Sequence, residues 1–327
     1  MKQNRMNRPI QPTIIRSSID SMRGNALVLA LLIVAVTSII AYALIETSSF
    51  AVRRTQLITN KGACVEAVHA AESYAMKILD QQGQQDKFGT YTSLDQDWAL
   101  PFEMILDKDI KLTGQINDLQ EKFNVNLLAR EGKESVHSPG LSFSRLLFSL
   151  GLGNGQALQD AVAHWVGSQS SHQDAYYLER DPPYRAAHVP LVSISELNLI
   201  QGFDLEITAI LRPYVAALPD NARMNLNTMV PKVLASVLDT QEDLLASLME
   251  DRKINPFTTV SEFSDRARSR GINVKDQAAF EDMVTTNSRY FLLSTTLVCQ
   301  KTTMKRYSLI ERVMTGEAWV YQRTSNL

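Results

Sequence analysis

The sequence predicts an α+β chain: one long N-terminal helix, a sheet for that helix to cover, and an all-helical region inserted into the sheet. Three observations predict it. Residues 26–45 form an uncharged apolar run. Segments rich in β-prone residues stand in two groups, at 98–119 and 290–323, on either side of a long middle region. That middle region, 123–288, carries two copies of one helical pattern.

The totals exclude several classes. A chain of 327 residues is long enough for about two domains of roughly 150 residues each. Apolar residues make up 45% and charged residues 21%, close to the globular average, which excludes a polytopic membrane protein and a disordered chain. A net charge of -2 argues against binding polyanions by bulk electrostatics.

Twenty residues at about 1.5 Å each span the roughly 30 Å of a bilayer's hydrocarbon layer. Twelve of the residues in 26–45 are Leu, Ile or Val, each contributing about -0.3 to -0.6 kcal/mol to insertion near the centre. Lys2, Arg5, Arg8, Arg16 and Arg23 precede the run against the single acid Asp20, so the N-terminus stays in the cytoplasm and the body crosses. A cleaved signal peptide has a shorter apolar region ending in a small-residue site; this run is longer, and no such site clearly follows. Arg23-Gly24 directly before the run resembles the processing signature of type IV prepilin-like proteins, against the competing reading of an ordinary anchor with a chance Arg-Gly. Cleavage after Gly24 makes 1–24 a leader, Asn25 the new N-terminus and 25–46 a retained transmembrane helix. Most pilins carry Glu as the fifth mature residue, where this chain has Leu29. An unpaired acid within a membrane costs about 2.5–3.5 kcal/mol, so Leu29 fits a subunit with no neighbour above it to neutralise a carboxylate.

Beyond the run, Cys64, Val68, Ala71, Ala75 and Ile78 follow steps of four and three, an apolar stripe that continues the helix, with Glu66, Glu72 and Lys77 placed elsewhere. Gly62 is a candidate bend, and the segment 80–89 (DQQGQQDKFG) ends the helix. The stripe needs a sheet or other helices to cover it. Candidate strands are Trp98–Leu106, Ile110–Leu119, Tyr290–Cys299, Lys305–Val313 and Ala318–Arg323, rich in Thr, Val, Tyr and Leu, with Gly316 as a turn. The α/β part is thus read as 47–122 completed by 289–327, around the insertion 123–288.

Within the insertion, Asn124-Val125-Asn126-Leu127 matches Asn225-Leu226-Asn227-Thr228, Pro190 aligns with Pro256, and Ser195-Glu196 with Ser261-Glu262. The repeats are 123–203 and 224–272, SAM-like or helix-hairpin-like. In each, the Ser lies where it can cap a short helix. Helical hairpins often grip DNA, which makes a membrane-anchored, periplasmic DNA-binding module the alternative. Residues 141–288 hold 12 Lys and Arg against 18 Asp and Glu, the wrong sign for reading phosphates. No nucleic acid is expected.

No catalytic constellation emerges: HExxH, GxSxG, a Walker loop and CxxC are all missing from the sequence. GLGNG at 151–155 follows a helix candidate and lacks a nearby lysine, and reads as a turn. His69, His137, His164, His172 and His188 are scattered, and His164-Trp165 reads as helix packing. Cys64 on the helix and Cys299 on a strand can form one disulfide in an oxidising compartment. They can equally stay as two buried thiols.

Taken together, Gly24 before the apolar helix, Leu29, INDLQEKFNVNLL at 116–128, and above all DAYYLERDPPYRAAHVPLVSISELNLIQGF at 174–203 resemble the general secretion pathway protein K family, the large minor pseudopilins of type II secretion. The resemblance covers 23–323. It implies a pilin-like fold, a long helix on an antiparallel sheet. It also implies a non-enzymatic role at the tip of the pseudopilus, starting assembly with minor pseudopilins I and J and supporting export across the outer membrane. Minor pseudopilin H and the major pseudopilin G are further partners. Prepilin peptidase would cleave after Gly24 and methylate Asn25, leaving the chain in the inner membrane with a periplasmic body. Family members can bind calcium through an acidic loop before the Tyr-Tyr pair; here that loop, GSQSSHQD, is poor in acids, and Asp174, Glu179 and Asp181 are the available oxygen ligands.

Overall fold

A computed structural model describes residues 19–85, 91–107, 110–129, 135–167, 174–219, 221–299, 302–313 and 317–325. The leader before residue 19, His172, Gly316, residues 86–89 of the segment 80–89 and residues 168–173 of the segment 167–174 lie outside them. The chain divides into two compact units, Met1–Ala63 and Cys64–Leu327.

In the first unit the described residues belong to helix α1 (Ile19–Gln85), which is helical at every position, Gly62 included. It is the one described helix long and apolar enough to cross a membrane. Several of its hydroxyls bond back to the helix's own carbonyls. Thr37 donates to the Ile33 carbonyl at 2.8 Å, Ser38 to Val34 at 2.7 Å and Thr47 to Ala43 at 2.9 Å. A polar atom that bonds its own backbone brings no unpaired donor into lipid.

In the second unit the C-terminal part of α1 lies on a sheet of five antiparallel strands. These are β1 (Phe102–Asp107), β2 (Ile110–Asp118), and the strands here labelled β7 (Tyr290–Cys299), β8 (Thr302–Arg312) and β9 (Ala318–Thr324), in spatial order β1-β2-β7-β8-β9. The buried stripe is Cys64, Ala67, Val68, Ala71, Ala75 and Leu79. It packs on Leu112 and Leu297 at one end and on Ile116, Phe291, Leu293 and Ile310 at the other. Leu79, not Ile78, completes it; Ile78 is only half-buried.

Two expectations change here. Trp98 is not in a strand: it sits in a 3-10 turn, Asp97–Ala99, with its ring 5.2 Å from Phe291. Pro101, which has no N–H to give a ladder, delays the strand to Phe102. Glu72, placed off the apolar face by its charge, is 2% exposed. Arg323, Ser308 and His69 all bond its carboxylate.

Residues 119–289 run between the neighbouring strands β2 and β7. They form β3 (Phe123–Asn124), α2 (Pro139–Ser149), α3 (Gly155–Val166), α4 (Asp174–Leu178), α5 (Leu205–Leu211), β4 (Val215–Ala216), β5 (Met224–Asn225), α6 (Pro231–Leu238), α7 (Ala246–Ile254), α8 (Val260–Ser269), α9 (Gln277–Met283) and β6 (Val284–Thr285). One apolar core, including Phe143, Leu158, Met229 and Phe263, unites them.

The paired Asn motifs make matching clamps. Asn126 receives the Leu191 N–H and donates back to the Leu191 carbonyl, both at 2.8 Å. Asn227 receives the Phe257 N–H at 2.8 Å and donates to the Phe257 carbonyl at 2.9 Å. Leu191 and Phe257 each follow one of the aligned prolines. The residue two before each Asn also matches: the side chains of Asn124 and Asn225 accept from the backbones of Asn126 and Asn227. The helix caps fall two residues earlier than the aligned serines. Ser193 caps with the Glu196 carboxylate accepting from its N–H, a capping box with the acid three residues after the cap; Thr259 accepts from the Glu262 N–H, while the Glu262 carboxylate accepts from Thr258.

Asp118 joins the two parts of the unit. It ends β2, is 1% exposed, and accepts from Thr228, Asn225, Ser288 and the Gln120 N–H. Burial pushes its carboxyl above the usual range, against the pull of those hydrogen bonds. Nearby Glu121 is pushed up to about 7, first by burial and then by the Asp118 charge.

Candidate functional site

At the membrane end, Gly24, Asn25 and Leu29 all lie within α1. Leu29 is 57% exposed, and the large apolar side chains from Leu27 to Ile45 are exposed with it. Such a surface is stable only against lipid or other apolar helices. No carboxylate occurs between Asn25 and Ile45.

Cys64 and Cys299 are joined as a disulfide, with Cα atoms 6.2 Å apart. The bridge ties α1 to the end of β7, where Ile110 of β2 is the facing residue. Of the two readings left open by the sequence, the structure holds the oxidised one.

The family-like segment 174–203 is organised around rings. Tyr177 is fully buried, with Trp165, Tyr176 and Tyr184 at centroid distances of 5.2, 5.2 and 5.6 Å. The Tyr184 hydroxyl donates to the Leu199 carbonyl at 2.8 Å, and its N–H bonds the Tyr177 carbonyl at 3.1 Å. The Tyr-Tyr and Asp-Pro-Pro-Tyr elements are therefore packing devices that fold the 174–203 segment onto α3.

Beside this cluster, three residues from separate segments converge. His164 comes from the last turn of α3, Asp174 opens α4, and His188 follows the proline-rich turn. Asp174 Oδ1 is 2.9 Å from His164 Nε2 and 3.1 Å from His188 Nε2. Hydrogen bonds from the two imidazoles outweigh partial desolvation and hold the Asp174 carboxyl below its ordinary range. His188 has φ 50, a left-handed backbone uncommon outside glycine. Its Nδ1 faces the Gly167 carbonyl at 3.1 Å. Sequence spacing could not find this group, since its members are brought together only by the fold.

The oxygen set expected for calcium is not assembled among the described residues. Glu179 and Asp181 are exposed, and the residues gathered with Asp174 are the two histidines. Calcium takes six to eight oxygen ligands, and residues 168–173 of the loop before the Tyr-Tyr pair lie outside the described residues.

Comparisons with known proteins agree with this architecture. The family model for type II secretion system protein K matches residues 121–220. The chain is 32% identical to type II secretion system protein K of Aeromonas hydrophila, over 65% of this chain and 69% of that one. It is 30% identical to the Pseudomonas aeruginosa protein K, over 76% and 78%. The Klebsiella pneumoniae protein K is 27% identical over 89% and 92%. In solved structures, the fold matches a chain of the GspK-GspI-GspJ complex of the enterotoxigenic Escherichia coli type 2 secretion system, with TM-score 0.73 and 23% identity, covering 84% of this chain and 99% of that one. A long helix on an antiparallel sheet, helices inserted between two of its strands, and relatives that span most of its length lead to one assignment: the chain belongs to the type II secretion system protein K family.

Proposed function

We propose that this protein is a minor pseudopilin at the tip of the type II secretion pseudopilus. There it initiates assembly with minor pseudopilins I and J and supports export across the outer membrane. The observation that carries the reading is Leu29. A mature helix with no acid among its first residues needs no partner above it in a stack, and the exposed apolar face of α1 still offers lateral packing to subunits below. An insertion as large as residues 119–289 is in keeping with a subunit that does not repeat along a filament. The relative of known structure was solved with I and J subunits, which makes these the first partners; H and the major pseudopilin G follow along the filament. The disulfide is in keeping with a periplasmic body, since such bonds persist in oxidising compartments. The basic residues before Gly24 favour a cytoplasmic N-terminus, with the chain anchored in the inner membrane.

Processing by prepilin peptidase after Gly24, with methylation of Asn25, gives the direct test. Mass spectrometry of the chain from membranes is expected to find N-methylated Asn25 as the first residue, and a Gly24→Glu variant to keep its leader. Normal shortening of that variant, or loss of the apolar helix from the wild type, contradicts the reading.

A further inference from the structure

We propose that His164 Nε2, Asp174 Oδ1 and His188 Nε2 form a binding site for a divalent transition-metal ion of the zinc class. The first ground is donor chemistry: two imidazoles and a carboxylate suit zinc and its neighbours, whereas calcium wants oxygen alone. The second is geometry. The three ligand atoms lie within 4.8 Å of one another. The contacts of 2.9 and 3.1 Å are close to the roughly 3.3 Å edge of a tetrahedron with bonds of about 2.0–2.1 Å.

The third ground is the hydrogen-bond direction at His188. The Gly167 carbonyl can only accept, so the Nδ1 at 3.1 Å from it carries the hydrogen. With that single hydrogen on the ring, Nε2 presents a lone pair to Asp174 Oδ1, also an acceptor, 3.1 Å away; either a second ring proton or a bound cation completes the contact, and the cation does so with the same ligand atoms. A zinc-ligating histidine has this same arrangement, with one nitrogen on the metal and the other donating to a backbone carbonyl. The left-handed backbone at His188 (φ 50) is the cost of aiming the ring, and such outliers concentrate at ligand clamps. A bound ion would pin the end of α3, the start of α4 and the turn at His188 together.

The test uses the full-length chain in detergent, stripped with a chelator and held above the ordinary histidine pKa of about 6.5. Zinc is titrated calorimetrically, cobalt is added as a spectroscopic probe, and calcium serves as the control. One zinc per chain is expected, along with the visible bands of four-coordinate cobalt, unaffected by calcium. His164→Gln and His188→Asn are each expected to weaken zinc by at least about 100-fold, more than the loss of an outer-shell partner; Asn at 188 tolerates the left-handed backbone. Glu179→Gln should leave zinc binding unchanged. If the histidine variants fail to fold, paramagnetically shifted imidazole protons in the wild-type cobalt form decide the matter without them. Absence of stoichiometric zinc uptake, unaltered affinity in both histidine variants, displacement of cobalt by calcium, or no shifted imidazole signals would each overturn the proposal.

Discussion

Glu72 and Arg323 form a two-pronged ion pair across the fold, with Nε 2.8 Å from Oε1 and Nη2 2.9 Å from Oε2. The carboxylate is 2% exposed and the guanidinium 53%, so the acid is the costly member. Burial alone would raise the Glu72 pKa, but the hydrogen bonds from Arg323, Ser308 and His69 outweigh it and leave the pKa lowered. Arg323→Met would strand a buried carboxylate. The fully buried case costs about 3–5 kcal/mol, and the exposure of Arg323 brings the expected loss to about 1–3 kcal/mol. A depressed acid contributes stability above its unfolded pKa of about 4.5 that is lost as pH falls. Thermal unfolding of the detergent-solubilised chain should therefore show wild-type stability falling below about pH 4.5, with the fall smaller in Glu72→Gln.

Glu121 has the opposite sign. Its carboxyl is pushed up to about 7 by burial and Asp118, so the folded state holds its proton more tightly than the unfolded one. Stability is then expected to decline as pH rises from about 4.5 to about 7. Glu121→Gln should flatten the decline without abolishing it, because Asp118 is raised as well. Unfolding midpoints across that range check the slope; an unchanged slope in the variant contradicts the assignment.

The bridge from Cys64 to Cys299 closes a loop with a sequence separation of 235. Replacing both cysteines with alanine should lower stability by about 2–5 kcal/mol. Non-reducing electrophoresis of the native chain should show it migrating faster than after reduction. Identical migration would argue against the bridge.

Gly114 pairs with Phe102 across β1 and β2, and the Phe102 ring lies where a Cβ at 114 would sit. The ring also packs edge-on to Tyr74, at 4.7 Å. Gly114→Val would expel the ring from beneath α1 and cost about 1–3 kcal/mol by overpacking. The loss should be partly rescued by Phe102→Ala in the double variant, as unfolding midpoints would show.

Much of this was legible in the sequence because period and composition report burial. The stripe from Cys64 to Ala75 and the strand at Tyr290–Cys299 were found that way, and the paired Asn-x-Asn motifs marked two equivalent backbone clamps. What escaped was polar burial and non-local convergence. Glu72 was placed outward by its charge, since its partner Arg323 is 251 residues away. The caps Ser193 and Thr259 were displaced by two residues because the Ser-Glu pairs drew attention from the acid-to-cap spacing that sets them. His164 and His188 read as unrelated positions; their shared partner Asp174 comes from a third segment, and no local pattern encodes that meeting.

The central claim is a subunit that caps the filament and does not repeat along it. Residue-specific crosslinking of purified pseudopili, read by quantitative mass spectrometry, tests this most directly. The account predicts one copy at an end, linked to I and J and never to itself; self-links recurring along the shaft would contradict it.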